Sequence, residues 1–217
     1  GGSGDRAATF QLKSGVAIYG GFAGNEPVGF NLDDRDFVQN ETILSGDLGR
    51  DDGPGFAGNG ENSLHVLTGS GTDATAVLDG FTITGGNANG GGGNSVRGGG
   101  MFIEDGSPSV QNCAFRGNKT EGWGAAINNS GASASPKITN CKFIGNWAKH
   151  GGGGASNWDN SSPTFTNCLF DGNKANNGAA VGNARGKPNY INCTFYSNTP
   201  ILPGQYHIYN YDYTEAN

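Results

Sequence analysis

The densest chemistry in this chain lies in its carboxylates. Asp47, Asp51 and Asp52 fall together in the glycine-rich run Asp47-Leu48-Gly49-Arg50-Asp51-Asp52-Gly53, and a second acidic run reads Asp33-Asp34-Arg35-Asp36. Alternating carboxylates in such a loop suit a hard cation such as Ca²⁺, which takes six to eight oxygen ligands. The spacing is not that of an EF-hand and no Glu closes it, so the same residues also read as a solvated loop tied by Asx turns. Catalysis finds little footing elsewhere. Glu104, Asp105, Glu121, Asp159 and Asp171 are the only acids between Gly85 and Pro200. None matches an acid at the equivalent position of a neighbouring repeat, as a glycosidase with carboxylates about 5 to 10 Å apart would need. His65, His150 and His207 are isolated, and no Gly-x-Ser-x-Gly occurs.

Four cysteines and three indoles complete the reactive set. Cys113, Cys141, Cys168 and Cys193 are separated by steps of 28, 27 and 25 residues. No Cys-x-x-Cys pair is present, which argues against zinc. Trp123, Trp147 and Trp158 fall in loop or outward positions. There an indole can stack on a sugar ring or on another protein, or can cover a turn of the chain beneath it. Lys119, Lys149 and Lys174 read as solvated surface.

Composition decides what kind of scaffold carries these groups. Among 217 residues there are 41 Gly and 26 Asn, and apolar residues make up only 34%. Gly costs about 1 kcal/mol per helix-interior position and Asn prefers turns, so long helices are excluded. The glycines lack a collagen period, and the 12 Phe, 7 Tyr and 3 Trp argue against disorder. An all-β chain with many turns remains. A net charge of −6 with no basic run removes nucleic acid and anionic membrane surfaces as partners. No apolar run is long enough for a transmembrane helix, and Gly1-Gly2-Ser3-Gly4 has no apolar signal region, so a processed chain or an internal piece is expected.

The repeat fixes the architecture. Pro-x-φ-x-Asn-Cys-x-Phe-x-x-Asn, with φ apolar, occurs at Pro108–Asn118, Pro136–Asn146, Pro163–Asn173 and Pro188–Asn198. A degenerate copy surrounds Phe81 and Ile83, and glycine-rich apolar stretches precede each repeat, as in Gly124-Ala125-Ala126-Ile127. Such a unit cannot bury its apolar residues alone, but copies stacked about 4.8 Å apart build a continuous core. The fold class is therefore all-β, a right-handed parallel β-helix with about three short strands per coil of about 25 to 32 residues.

Stacking predicts columns. Val110, Ile138, Phe165 and Tyr190 form one, Cys113, Cys141, Cys168 and Cys193 a second, and Phe115, Phe143, Phe170 and Phe195 a third, all inward. Ala114, Lys142, Leu169 and Thr194 then point out. Asn112, Asn140, Asn167 and Asn192 form an amide ladder at a corner, and Asn118, Asn146, Asn173 and Asn198 form another. Vertical cysteine neighbours would hold their Cβ atoms near 4.8 Å, beyond the roughly 3.8 Å of a disulfide, so buried free thiols are expected.

The Phe-x-x-Asn motifs at Phe115–Asn118, Phe143–Asn146, Phe170–Asn173 and Phe195–Asn198, with Gly124-Ala125-Ala126-Ile127 as a Gly-Gly-Ala-Ile variant, resemble the repeats of bacterial cell-surface β-helix families related to the polymorphic outer-membrane proteins. Gly15 to Glu26, Arg35-Asp36 and Thr42 to Asp47 look similar to the opening of the same large secreted proteins. The resemblance covers roughly residues 6 to 198. It implies a secreted or cell-surface location and a chain trimmed from a longer one.

Three stretches follow: 1–75, coils with long Gly/Asp-rich loops; 76–198, regular repeats; and 199–217, an aromatic strand or assembly segment. Tyr206, Tyr209, Tyr211 and Tyr213 of the last suit either a final coil or pairing with another subunit. The expected function is that of an extracellular structural or adhesive surface protein, such as a filament or surface-layer subunit, with carbohydrate binding or cleavage as the alternative. Its core needs no cofactor, and Ca²⁺ is the one ion the sequence suggests. Its expected partners are a further copy end to end, other surface proteins or glycans.

Overall fold

The computed structural model describes residues 4–211 as a parallel β-solenoid with four sheets, and every helix among these residues is a short 3₁₀ turn. One coil illustrates how it is built. Met101–Glu104, Ser109–Gln111, Ala114–Arg116 and Lys119–Thr120 are successive strands, so a coil has four strands rather than the three expected. The extra strand arises because Asn112, with φ +54°, splits the repeat motif in two, and Gly117, with φ +57°, turns the chain again. Asn and Gly tolerate this left-handed region and most other residues do not. The equivalent Asn140, Asn167 and Asn192 share it at φ +53°, +53° and +51°.

Each strand pairs in parallel with its equivalents in the adjacent coils. Sheet I runs through seven strands, from Phe10–Gln11 by way of Leu67–Thr68 and Met101–Glu104 to Ile208–Tyr211. Sheet II has six, from Ala17–Tyr19 to Asn189–Ile191, and sheet III six, from Thr42–Ser45 to Thr194–Tyr196. Sheet IV has five, from Asn87–Ala88 to Thr199–Pro200.

The predicted columns are present in register. Ile18, Leu78, Val110, Ile138, Phe165 and Tyr190 stack in sheet II, and Leu44, Ile83, Phe115, Phe143, Phe170 and Phe195 in sheet III. Phe143 lies flat between its neighbours, with centroids 5.4 Å from Phe115 and 4.5 Å from Phe170 and ring planes within 9° of parallel. The two columns meet edge to face, as at Phe143 and Phe165, 6.0 Å apart. Both arrangements favour the ring quadrupoles. Cys113, Cys141 and Cys168 are buried and Cys193 partly so, all four as free thiols. Each thiol donates to a carbonyl of the coil before it, Cys168 to Ile138 at 3.5 Å and Cys193 to Phe165 at 3.4 Å.

Three amide ladders run along the stack. At the sheet II–III corner, Nδ2 of Asn192 donates to Oδ1 of Asn167, Asn167 to Asn140, Asn140 to Asn112, and Asn112 to the Asp79 carboxylate. At the sheet III–IV corner the direction is reversed: Asn118 donates to Asn146, Asn146 to Asn173 and Asn173 to Asn198. These amides also take backbone partners, so that Asn146 Nδ2 donates to the Phe115 carbonyl at 3.0 Å. The third ladder, Asn129 to Asn157 to Asn183 to Asn210, lies in sheet I and was not foreseen.

The long loop between Ala17–Tyr19 and Thr42–Ser45 is pinned to the stack by Arg35. Its guanidinium donates to Asp79 and to the Gly20 carbonyl, and lies about 5 to 6 Å from the rings of Tyr19, Phe22 and Phe37. Among the described residues no helix is long and apolar enough to cross a membrane.

Candidate functional site

The acidic loop leaves sheet III after Thr42–Ser45 and returns to sheet I at Leu67–Thr68. Asp47 shapes its first turn: Oδ1 accepts the backbone N–H groups of Arg50 at 2.6 Å and Asp51 at 3.3 Å, and Oδ2 that of Asp52 at 3.4 Å. The chain then reverses through Gly58, with φ +85°, and the 3₁₀ turn Asn59–Glu61. This reversal brings Glu61 back, where Oε1 accepts the Gly49 N–H at 3.2 Å. The sequence grouped Asp47, Asp51 and Asp52; among the described residues, Asp47, Asp51 and Glu61 bring carboxylate oxygens within 4.8 Å of one another.

Asp52 turns away and accepts Nδ2 of Asn62 at 2.7 Å. Burial raises its pKa against that hydrogen bond, with help from the negative charges of Asp47, Glu61 and Asp51. Asx-type bonds give this loop its shape, and Asp47, Asp51 and Glu61 draw together at its turn.

The far side of this loop forms one wall of an open groove of about 670 Å³, to which it contributes Asp52, Gly53, Gly55 and Phe56. The opposite wall holds Trp147 and Lys174, and the floor is Gly117, Gly145 and Gly172 with Thr84. These glycines sit at the sheet III–IV corner with φ +57°, +61° and +62°. A Cβ on Gly145 or Gly172 would meet nothing within 4 Å, so the floor is bare backbone beneath open space. Phe56, which also lines the groove, has positive φ, +67°, a strained conformation for an aromatic residue.

Sheet IV places charge around Trp147. Lys119, Trp147 and Lys174 are register neighbours on successive coils, and the Lys119 ammonium lies 5.2 Å from the Trp147 ring centroid. Lys119 and Lys149 both approach Glu121, at 3.6 and 3.1 Å. Burial alone would raise the Glu121 pKa, but the hydrogen bond and charge of Lys149, with those of Lys119, bring it below the usual value.

The other indoles are placed differently. Trp123 and Trp158 pack edge to face at 4.9 Å, with His150 beside Trp123 and the Arg97 guanidinium 5.0 Å from the Trp158 ring. Trp123 also crosses against Gly151, covering a turn of the next coil. Trp147 alone of the three lines the groove. Tyr206, Tyr209 and Tyr211 form a run of neighbouring rings at the last coil, 5.8 and 5.9 Å apart, whereas Tyr213 lies outside the described residues. Strand Ile208–Tyr211 pairs with Val181–Ala184 as the last rung of sheet I.

Sequence reasoning missed Phe56, Glu61 and the glycine floor. The floor had a signal, the Gly inside the first three Phe-x-x-Asn motifs, but its meaning depends on a loop that crosses from far upstream. No protein-family model, curated protein or solved structure matches this chain.

Proposed function

We propose that the chain is a structural module of a bacterial cell surface that acts through end-to-end contact, with a second copy as the occupant of each end. One observation carries this reading. Every exposed large apolar side chain among the described residues lies either from Phe10 to Ile43 or from Ile191 to Tyr211, and none lies between. The inward columns finish in apolar residues at both ends: Phe10, Ile18 and Leu44 at one, Ile208, Tyr190 and Phe195 at the other. Stacking one end on the other would continue all three columns and pair strand edges that are open in the sheet order. Such a contact is heterologous, so it propagates rather than closing into a dimer. The Phe-x-x-Asn and Gly-Ala-Ile-type motifs support the likeness to the polymorphic outer-membrane proteins, and with it an extracellular setting.

Cys193 reports on the contact because it lies only partly buried in the last coil. Sedimentation velocity over a wide concentration range should show oligomers growing with concentration, while the reactivity of Cys193 falls in parallel. A concentration-independent monomer with constant Cys193 reactivity would overturn assembly with a second copy, and would leave further coils of a longer chain as the natural cover for these ends.

A further inference from the structure

We infer that the groove between the acidic loop and sheet IV binds a linear, uncharged oligosaccharide lying along the solenoid axis. This site is distinct from the ends, and the inference does not depend on assembly. Its first support is shape. The floor rises from Gly117 to Gly145 to Gly172 by one coil per step, about 4.8 Å, a length close to that of one sugar ring in an extended chain. With no side chain on the floor, a flat ligand can run past several coils without obstruction.

The second support is the chemistry of the walls. Trp147 and Phe56 face the same groove from opposite sides, and aromatic rings offer sugar C–H faces an apolar platform. Asp52 and Lys174 add one acceptor and one donor for hydroxyl groups, beside the Thr84 hydroxyl. Lys174 has no ion pair among the described residues, while Lys119, the other cation beside Trp147, is engaged with Glu121.

The third support is charge. One carboxylate and one ammonium line the groove, so their charges offset, and the chain as a whole carries −6. A polyanion such as nucleic acid or a polyuronate would gain little here and would meet Asp52. Trp123 and Trp158 offer no comparable platform, because they are packed against each other.

The groove can be blocked without disturbing the fold. The floor column continues from Gly172 to Ser197, which also has positive φ, +51°, and Asn occupies the same left-handed region at four other corners. Gly145→Asn should therefore be accommodated by the backbone while its side chain fills the open space above the floor.

The test is isothermal titration of the whole chain with neutral hexasaccharides (β-1,4-glucan, β-1,3-glucan and chitin-derived), with oligogalacturonate and single-stranded DNA as polyanionic probes. At least one neutral hexasaccharide should bind with an affinity that barely changes with salt. Trp147→Ala should weaken it about tenfold, and Gly145→Asn should abolish it with an unchanged thermal melt. Phe56→Ala provides a second aromatic variant should Trp147→Ala perturb the coil. The inference fails if no neutral glycan binds, if binding survives Gly145→Asn, or if only the polyanions bind with steep salt dependence.

Discussion

The Arg35 guanidinium lies 2.8 Å from the Asp79 carboxylate, with the two side chains only 4% and 5% exposed. Asp79 also accepts Gln111 and the first amide of the corner ladder, Asn112, so one carboxylate fastens the N-terminal loop and terminates a ladder. Removing one partner of such a pair leaves an enclosed charge without compensation, a loss of about 3 to 5 kcal/mol. Asp79→Ala is expected in that range by urea denaturation, and the double replacement Arg35→Met with Asp79→Leu should lose clearly less. Equal losses in the two proteins would show that packing rather than charge holds the loop.

The inward and outward faces of sheet III can be separated at adjacent positions. Phe143→Ala removes a fully buried ring between two stacked phenylalanines and should cost about 3 to 5 kcal/mol. Lys142→Ala, on the exposed face, should cost less than about 0.5 kcal/mol. Equal effects in chemical denaturation would contradict the facing assigned to this strand.

The thiols should titrate in two classes. Native protein treated with an aromatic disulfide reagent should release about one equivalent quickly, from Cys193, while Cys113, Cys141 and Cys168 wait for unfolding. Denatured, unreduced protein should yield close to four. A total of two or none would mean that adjacent coils are cross-linked.

Alkaline pH should unfold the stack through the same column. Burial pushes the Cys168 thiol from 9.0 up to about 12, and burial followed by the neighbouring Cys113 drives Cys141 well above its usual value. Burial likewise raises the Tyr190 phenol. Because the folded pKa values exceed the unfolded ones, the native state retains protons that the unfolded chain gives up. For Cys168 the associated stability is complete below about pH 9 and falls as pH rises toward 12, by about 1.4 kcal/mol per pH unit in that window. Urea midpoints measured between pH 8 and 11 should decline, and Cys168→Ala should make the decline shallower. An identical slope in the variant would remove the thiol from the explanation.

What could be read without coordinates was whatever recurs at equivalent positions. The cysteine, phenylalanine and two asparagine columns are written four times over, and stacking converts identity of position into contact. The third ladder escaped because its rungs do not recur as a motif: Ile103 stands at the register position beside Asn129, and Asn210 lies in the aromatic C-terminal strand. The fourth strand per coil escaped because a left-handed Asn divides what reads as one apolar alternation. Arg35 and Asp79 are 44 residues apart, and Glu61 reaches Gly49 only after a loop reversal, so neither meeting has a local signature. Lys119 and Lys174 looked like ordinary solvated surface until register set them on either side of Trp147.

The amide ladders give the solenoid a sense of direction as well as cohesion. The Asn118 and Asn129 series pass their hydrogen bonds toward later coils, and the Asn192 series passes them toward earlier ones. All three series reach the last coils, at Asn192, Asn198 and Asn210, but stop short of the first coil, at Asp79, Asn118 and Asn129, so the two tips present different polar edges. The molecule is thus a vectorial rod with unlike tips. A fibre grown from it would inherit that polarity, extending at its two tips at different rates and presenting every groove in the same orientation along its length.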